Sequence, residues 1–167
     1  YVFNTGDTGY PEHIYWGRRI KNPVFSISAL SEKHLKAPTM STISDRSYNE
    51  FSLDDTLLEF STEGRGDYRT PFIAVSFGDK GDRTLDLRYE SFAIHPGIVR
   101  FKGAKMPQAV AGTNDAETLE VTFRDKSRNI RLVTYYTSFY STDTITRRSV
   151  VFNDSDSTLN IRSIASS

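Results

Sequence analysis

The clearest period-two pattern is Thr118-Leu119-Glu120-Val121-Thr122-Phe123, which sets Leu119, Val121 and Phe123 on one face of a strand. Leu85-Asp86-Leu87-Arg88-Tyr89 alternates as cleanly and leads into Phe92-Ala93-Ile94. Residues 72–77 form a more uniformly apolar run that stops at Gly78, and runs at 130–139 and 144–152 follow. The last residues, 159–165, alternate again. Turn-forming clusters separate these runs: Gly78 to Asp82, Pro96-Gly97, Asp125 to Asn129, Ser141 to Asp143 and Asn153 to Ser157. Turns about 8–12 residues apart, without a long 3.6-period segment, predict an antiparallel sandwich or barrel. From about residue 72 onward the pattern reads as a β-meander.

The N-terminal third is less regular. Residues 26–50 hold scattered Ser and Lys with Pro38 and Asn49, and a loop of that length is often functional. Ser52-Leu53-Asp54-Asp55 suits the cap of a short helix through Leu57 and Leu58. An extended segment fits the same residues. Tyr1-Val2-Phe3 and the alternating end both read as strands cut through, so a fragment of a longer protein is expected, and a leader cannot be judged.

A chain of 167 residues suits one domain. Aromatic residues make up 13%, including 11 Phe and 9 Tyr, which favours pleated surfaces. Lys+Arg and Asp+Glu are 21 each, a balance that argues against a nucleic-acid partner. No apolar run reaches the ~20 residues of a membrane-spanning helix, and no membrane partner is expected. The absence of Cys removes disulfides, thiolate catalysis and cysteine metal sites.

Catalytic chemistry is hard to find. His13, His34 and His95 have no metal-ligand spacing, so neither a metal nor a cofactor is expected. There is no nucleophile elbow and no dinucleotide fingerprint. Gly64-Arg65-Gly66-Asp67 lacks the following helix that a phosphate loop needs. The Arg65-Gly66-Asp67 tripeptide and the Asn153-Asp154-Ser155 sequon are three-residue signals that ordinary turns also produce. Tyr10, Tyr15 and Trp16 cluster near His13, which suits either a sugar-stacking platform or core packing. No two carboxylates are assigned as acid and nucleophile, because that depends on their separation across a cleft. The residues alone describe a β-sandwich without a catalytic centre.

Six short motifs, in order along nearly the whole chain, resemble the N-terminal domain of glycoside hydrolase family 36, the α-galactosidases. They are His13-Ile14-Tyr15-Trp16-Gly17-Arg18, Phe51-Ser52-Leu53-Asp54, Gly64-Arg65-Gly66-Asp67-Tyr68-Arg69-Thr70-Pro71, Asp86-Leu87-Arg88-Tyr89, Ala116-Glu117-Thr118-Leu119-Glu120-Val121 and Ile145-Thr146-Arg147-Arg148-Ser149. The last carries one Arg more than the family's I-T-R-S.

The resemblance implies an all-β, antiparallel β-supersandwich of the galactose mutarotase-like type. It is incomplete here, with residues 1–167 forming part of an N-terminal domain. It also implies a parent enzyme that hydrolyses terminal α-galactosides such as raffinose-type sugars with retention. The two aspartates that do this chemistry in the family lie in a TIM-type barrel that follows, so no catalytic residue is expected in this chain. The barrel itself and further copies of the protein, up to a tetramer, are the implied partners.

The loop at residues 25–50 is the part that reaches a neighbouring subunit in tetrameric members. Asp45 and Arg46 are its candidate sugar contacts in trans, although residues 47–50 separate Arg46 from the Phe51 motif. Gly64, Gly66, Asp67, Tyr68, Arg69 and Pro71 are expected to form a structural loop, with Arg69 pairing with Asp67 or another carboxylate. Asp86, Arg88 and Glu117 are expected to brace strands. A stand-alone carbohydrate-binding or interaction module is the competing reading, and an adhesion domain displaying Arg65-Gly66-Asp67 a third. The first reading expects apolar surface left open where missing strands belong. The motifs do not separate α-galactoside hydrolysis from action on α-N-acetylgalactosaminides or galactosyl transfer. They leave the compartment open too, the cytoplasm being favoured for a bacterial source.

Overall fold

The computed structural model describes residues 1–21, 52–53, 56–78, 81–101 and 107–165. Asp45, Arg46, His34 and the whole 25–50 loop lie outside the described residues. The described residues hold eight strands: β1 (Val2–Asn4), β2 (Glu12–Tyr15), β3 (Ile73–Phe77), β4 (Arg88–Pro96), β5 (Ala116–Asp125), β6 (Ile130–Phe139), β7 (Thr144–Asn153) and β8 (Leu159–Ile164). Every strand pair for which a register is resolved runs antiparallel. The chain divides into two compact units. Residues 89–155 form the second, and residues 1–88 with 156–165 form the first.

The second unit holds a true meander, β4-β5-β6-β7. Its two long hairpins keep strict register, from Ala116 opposite Phe139 to Asp125 opposite Ile130, and from Ile130 opposite Asn153 to Phe139 opposite Thr144. The turn between β5 and β6 is built by Asp125. Its buried carboxylate accepts the Ser127 and Arg128 amides at 2.9 Å and the Ser127 hydroxyl at 2.7 Å. Asn129 then turns the chain at a φ of 54°. Val121, Phe123, Ile130 and Leu132 are buried, as the period-two pattern demands. Thr118, on the opposite face, is buried as well and satisfied: its hydroxyl lies 2.8 Å from that of Thr137 and 2.7 Å from the Gly97 carbonyl.

The meander is shorter than the sequence suggests. Instead of continuing into β4, β3 pairs with β8 in a separate two-stranded sheet, with Ile73 opposite Ile164 and Phe77 opposite Leu159. Phe77 also bridges to Asp82, so the turn after Gly78 folds back on β3 rather than opening a hairpin with β4. β3 is buried at every position but Ser76, and its side chains accordingly form part of the first unit's core.

The short helix considered at 52–58 is absent from the described residues there. Leu58 bridges to Glu12, and the His13 amide donates to the Leu57 carbonyl at 2.6 Å. Pairing with β2 satisfies those backbone groups outside a helix.

Apolar surface stays open on the outer strands. β4 ends the four-stranded sheet with Phe92 61% and Ile94 58% exposed, and Ile161 and Ile164 are exposed on β8.

Candidate functional site

The Gly64 to Pro71 loop has its shape set by glycine. Gly64 holds a φ of 87°, and a Cβ there would come within 2.9 Å of the Thr84 Cα, so no other residue fits. Opposite it, the Leu85 amide donates to the Glu63 carbonyl at 3.2 Å, and the Thr62 hydroxyl donates to the Leu85 carbonyl at 2.7 Å. The loop is thereby pinned to the segment that carries Asp86.

Asp67 and Arg69 form the centre of the loop. The Arg69 Nε donates to Asp67 Oδ1 at 2.8 Å, Nη2 to Oδ2 at 3.1 Å, and the Arg69 amide to Oδ1 at 3.1 Å. The Asp67 side chain is only 2% exposed. The far side of the same guanidinium donates to the Leu53 carbonyl at 2.6 Å and the Thr56 carbonyl at 2.7 Å. Arg69 thus ties the loop to the segment that follows residues 25–50. Pairing with Asp67 was anticipated in the sequence; the two backbone acceptors were not. Tyr68, between them, points to solvent at 88% exposure.

A second network centres on Asp86. Tyr10 donates its hydroxyl to Asp86 Oδ1 at 2.5 Å. Arg88 Nη2 and Arg65 Nη2 approach Oδ2 at 3.2 and 3.4 Å. The Arg88 guanidinium also lies 4.8 Å from the Tyr10 ring centroid. Asp86 and Arg88 brace the fold as expected, whereas Glu117 stands exposed opposite Ser138 with no charge pair among the described residues. With Asp67 buried under Arg69 and Arg65 turned onto Asp86, the Arg65-Gly66-Asp67 tripeptide is spent internally and does not present an adhesion signal.

Burial first, and the bond to Asp86 second, push the Tyr10 hydroxyl above its ordinary ionisation range. Such a group stabilises the fold fully below the unfolded value of about 10, and the contribution is lost as pH rises past it. Wild-type stability should therefore fall above about pH 10. Tyr10→Phe should flatten that alkaline limb while costing about 1 kcal/mol at neutral pH for the lost hydrogen bond. Denaturant midpoints between pH 7 and 11 read both effects.

The three aromatic residues flagged in the sequence do not form one surface. Tyr10 is buried, and the Tyr15 hydroxyl donates to the Arg18 carbonyl at 2.9 Å, while Trp16 is open. His13 Nδ1 lies 3.7 Å from Glu59, and His95 Nε2 lies 2.9 Å from Glu120. An open cleft of about 260 Å³ runs between Leu58, Phe60, Arg69, Pro71 and Phe72. Among the described residues its one cation, Arg69, is already engaged.

Asp67, Arg69, Asp86 and Arg88 are therefore spent on one another and on backbone carbonyls, within an all-β domain. Asp67 and Asp86, each held by a guanidinium, are not poised as acid or nucleophile. The chain belongs to glycosyl hydrolase family 36: the sequence model of that family's N-terminal domain matches residues 9–167. The antiparallel, supersandwich-type fold expected from the motifs agrees with this.

The chain is 31% identical over 147 residues to alpha-galactosidase AgaA of Geobacillus stearothermophilus, covering 88% of this chain and 19% of that protein. It is 28% identical to alpha-galactosidase Mel36A of Lactobacillus acidophilus, over 99% of this chain and 22% of the relative. The crystal structure of an AgaA variant in complex with raffinose superposes with a TM-score of 0.82 at 30% identity, covering 95% of this chain and 21% of that one. The chain thus spans about a fifth of the length of these relatives.

Proposed function

We propose that this chain is the non-catalytic N-terminal domain of a retaining α-galactosidase whose whole length removes terminal α-galactosyl groups from raffinose-type sugars. The observation that carries the reading is the family match over residues 9–167, in a chain about a fifth as long as its alpha-galactosidase relatives. Retention needs a nucleophile and an acid/base about 5–5.5 Å apart. The resemblance assigns both to a barrel that follows this domain.

The role left to the domain is architectural. The Arg69 clasp holds Leu53 and Thr56, in the segment that follows residues 25–50. In an oligomer, that loop carries Asp45 and Arg46 to a neighbouring subunit, where the Arg46 guanidinium donates to galactoside hydroxyls. The other faces pack on the enzyme's own barrel.

Hydrolysis of raffinose by the full-length protein, followed by NMR of the released galactose, tests this. The expected result is release of the α-anomer first and no turnover by residues 1–167 alone. Absence of α-galactoside cleavage by the full-length protein, or turnover by residues 1–167, would overturn it.

A further inference from the structure

An aromatic corner in the first unit has no part in the roles above. Trp16, one residue past β2, is 63% exposed, and Tyr1 beside it is 36% exposed. Their ring centroids are 5.3 Å apart with the planes at 73°, so the two rings make an L. The Tyr1 ring rests against Phe3 at 6.2 Å and His13 at 5.3 Å. Its hydroxyl donates to the buried Glu59 carboxylate. The bond from the Tyr15 hydroxyl to the Arg18 carbonyl closes the turn that follows Trp16. Among the described residues the corner is thus fixed from behind and open in front, which lowers the ordering cost of binding.

The chemistry in the corner is specific. It offers an open indole, a second ring standing nearly at right angles, a His13 imidazole one-third exposed, and a buried carboxylate at the base. A pyranose has a flat face of C–H bonds that stacks on an indole and a rim of hydroxyls that suits the imidazole. Aromatic walls with a few placed polar groups are the usual make-up of a small-molecule site.

We propose that Trp16, Tyr1 and His13 form a binding platform for a neutral pyranoside, with the sugar stacked on the Trp16 indole. The rings carry this inference on their own. Only the choice of an α-galactosyl polymer as probe rests on the function proposed above.

The test is affinity electrophoresis of the full-length protein, in the cold, through gels containing galactomannan. The wild-type protein should be retarded. Trp16→Ala should weaken the apparent Kd about tenfold or more. Trp16→Phe, which keeps a flat ring, should recover most of the retardation. Matching thermal melts of the three proteins establish that folding is unaltered. Failure of the wild-type protein to be retarded, or equal retardation of wild type and Trp16→Ala, overturns the platform. Mobility reports binding and not product, so failure of the raffinose assay leaves this result standing, and the reverse holds too.

Discussion

Replacing Arg69 with alanine is expected to destabilise the chain by about 1–3 kcal/mol, the usual cost of leaving a covered polar group without its hydrogen-bond partner, the Arg69 side chain itself being 41% exposed. The size follows from what the guanidinium satisfies. Asp67 is nearly inaccessible and would lose its guanidinium partner. The Leu53 and Thr56 carbonyls would lose their donors as well. Arg69→Lys should recover only part of the loss, because an ammonium cannot reach a carboxylate and two carbonyls in the fixed fork that arginine provides. Asp67→Asn should cost less, since an amide oxygen still accepts from Arg69. Urea unfolding of the three variants against wild type gives the ranking. Full stability in Arg69→Ala would mean the clasp is not needed to hold the 52–56 segment.

Phe123→Ala is expected to cost about 3–5 kcal/mol through lost burial and the cavity left behind. Phe123 is fully buried on β5, opposite the equally buried Leu132. The matched control is Phe92→Ala on β4, where the ring is 61% exposed and the change should stay within about 0.5 kcal/mol. Parallel urea titrations compare them. A Phe92 variant as damaged as the Phe123 variant would show that the open face of β4 is covered in solution.

These two sites differ in how far they could be read from sequence. Phe123 sits in the strongest alternating run of the chain, and a period of two is a local property, so its strand and inward face were legible. The partners of Arg69 were only half legible. Asp67 stands two residues away, but Leu53 and Thr56 contribute carbonyl oxygens, which every residue carries and no sequence pattern marks. Tyr10 shows the same limit. It was grouped with Tyr15 and Trp16 by proximity along the chain, while its hydroxyl is committed to Asp86, 76 positions away. The extent of the meander was overread for a related reason. The apolar run at 72–77 marks a strand but carries no information about which edge the strand joins. The motif matches added what periodicity could not, namely the family.

The pairing of β3 with β8 has a consequence for the newborn chain. The entire second unit, residues 89–155, is threaded between these two strands. The four-strand meander is built from neighbouring hairpins and can close as soon as it emerges from the ribosome. β3 cannot. Its first contact with β8, Phe77 with Leu159, requires 82 more residues (159 − 77) to be synthesised. At roughly 5–20 residues per second that is a wait of about 4 to 16 seconds. Throughout it the β3 edge lacks its ladder partner, and an unpaired strand edge in a nascent chain is open to misassociation.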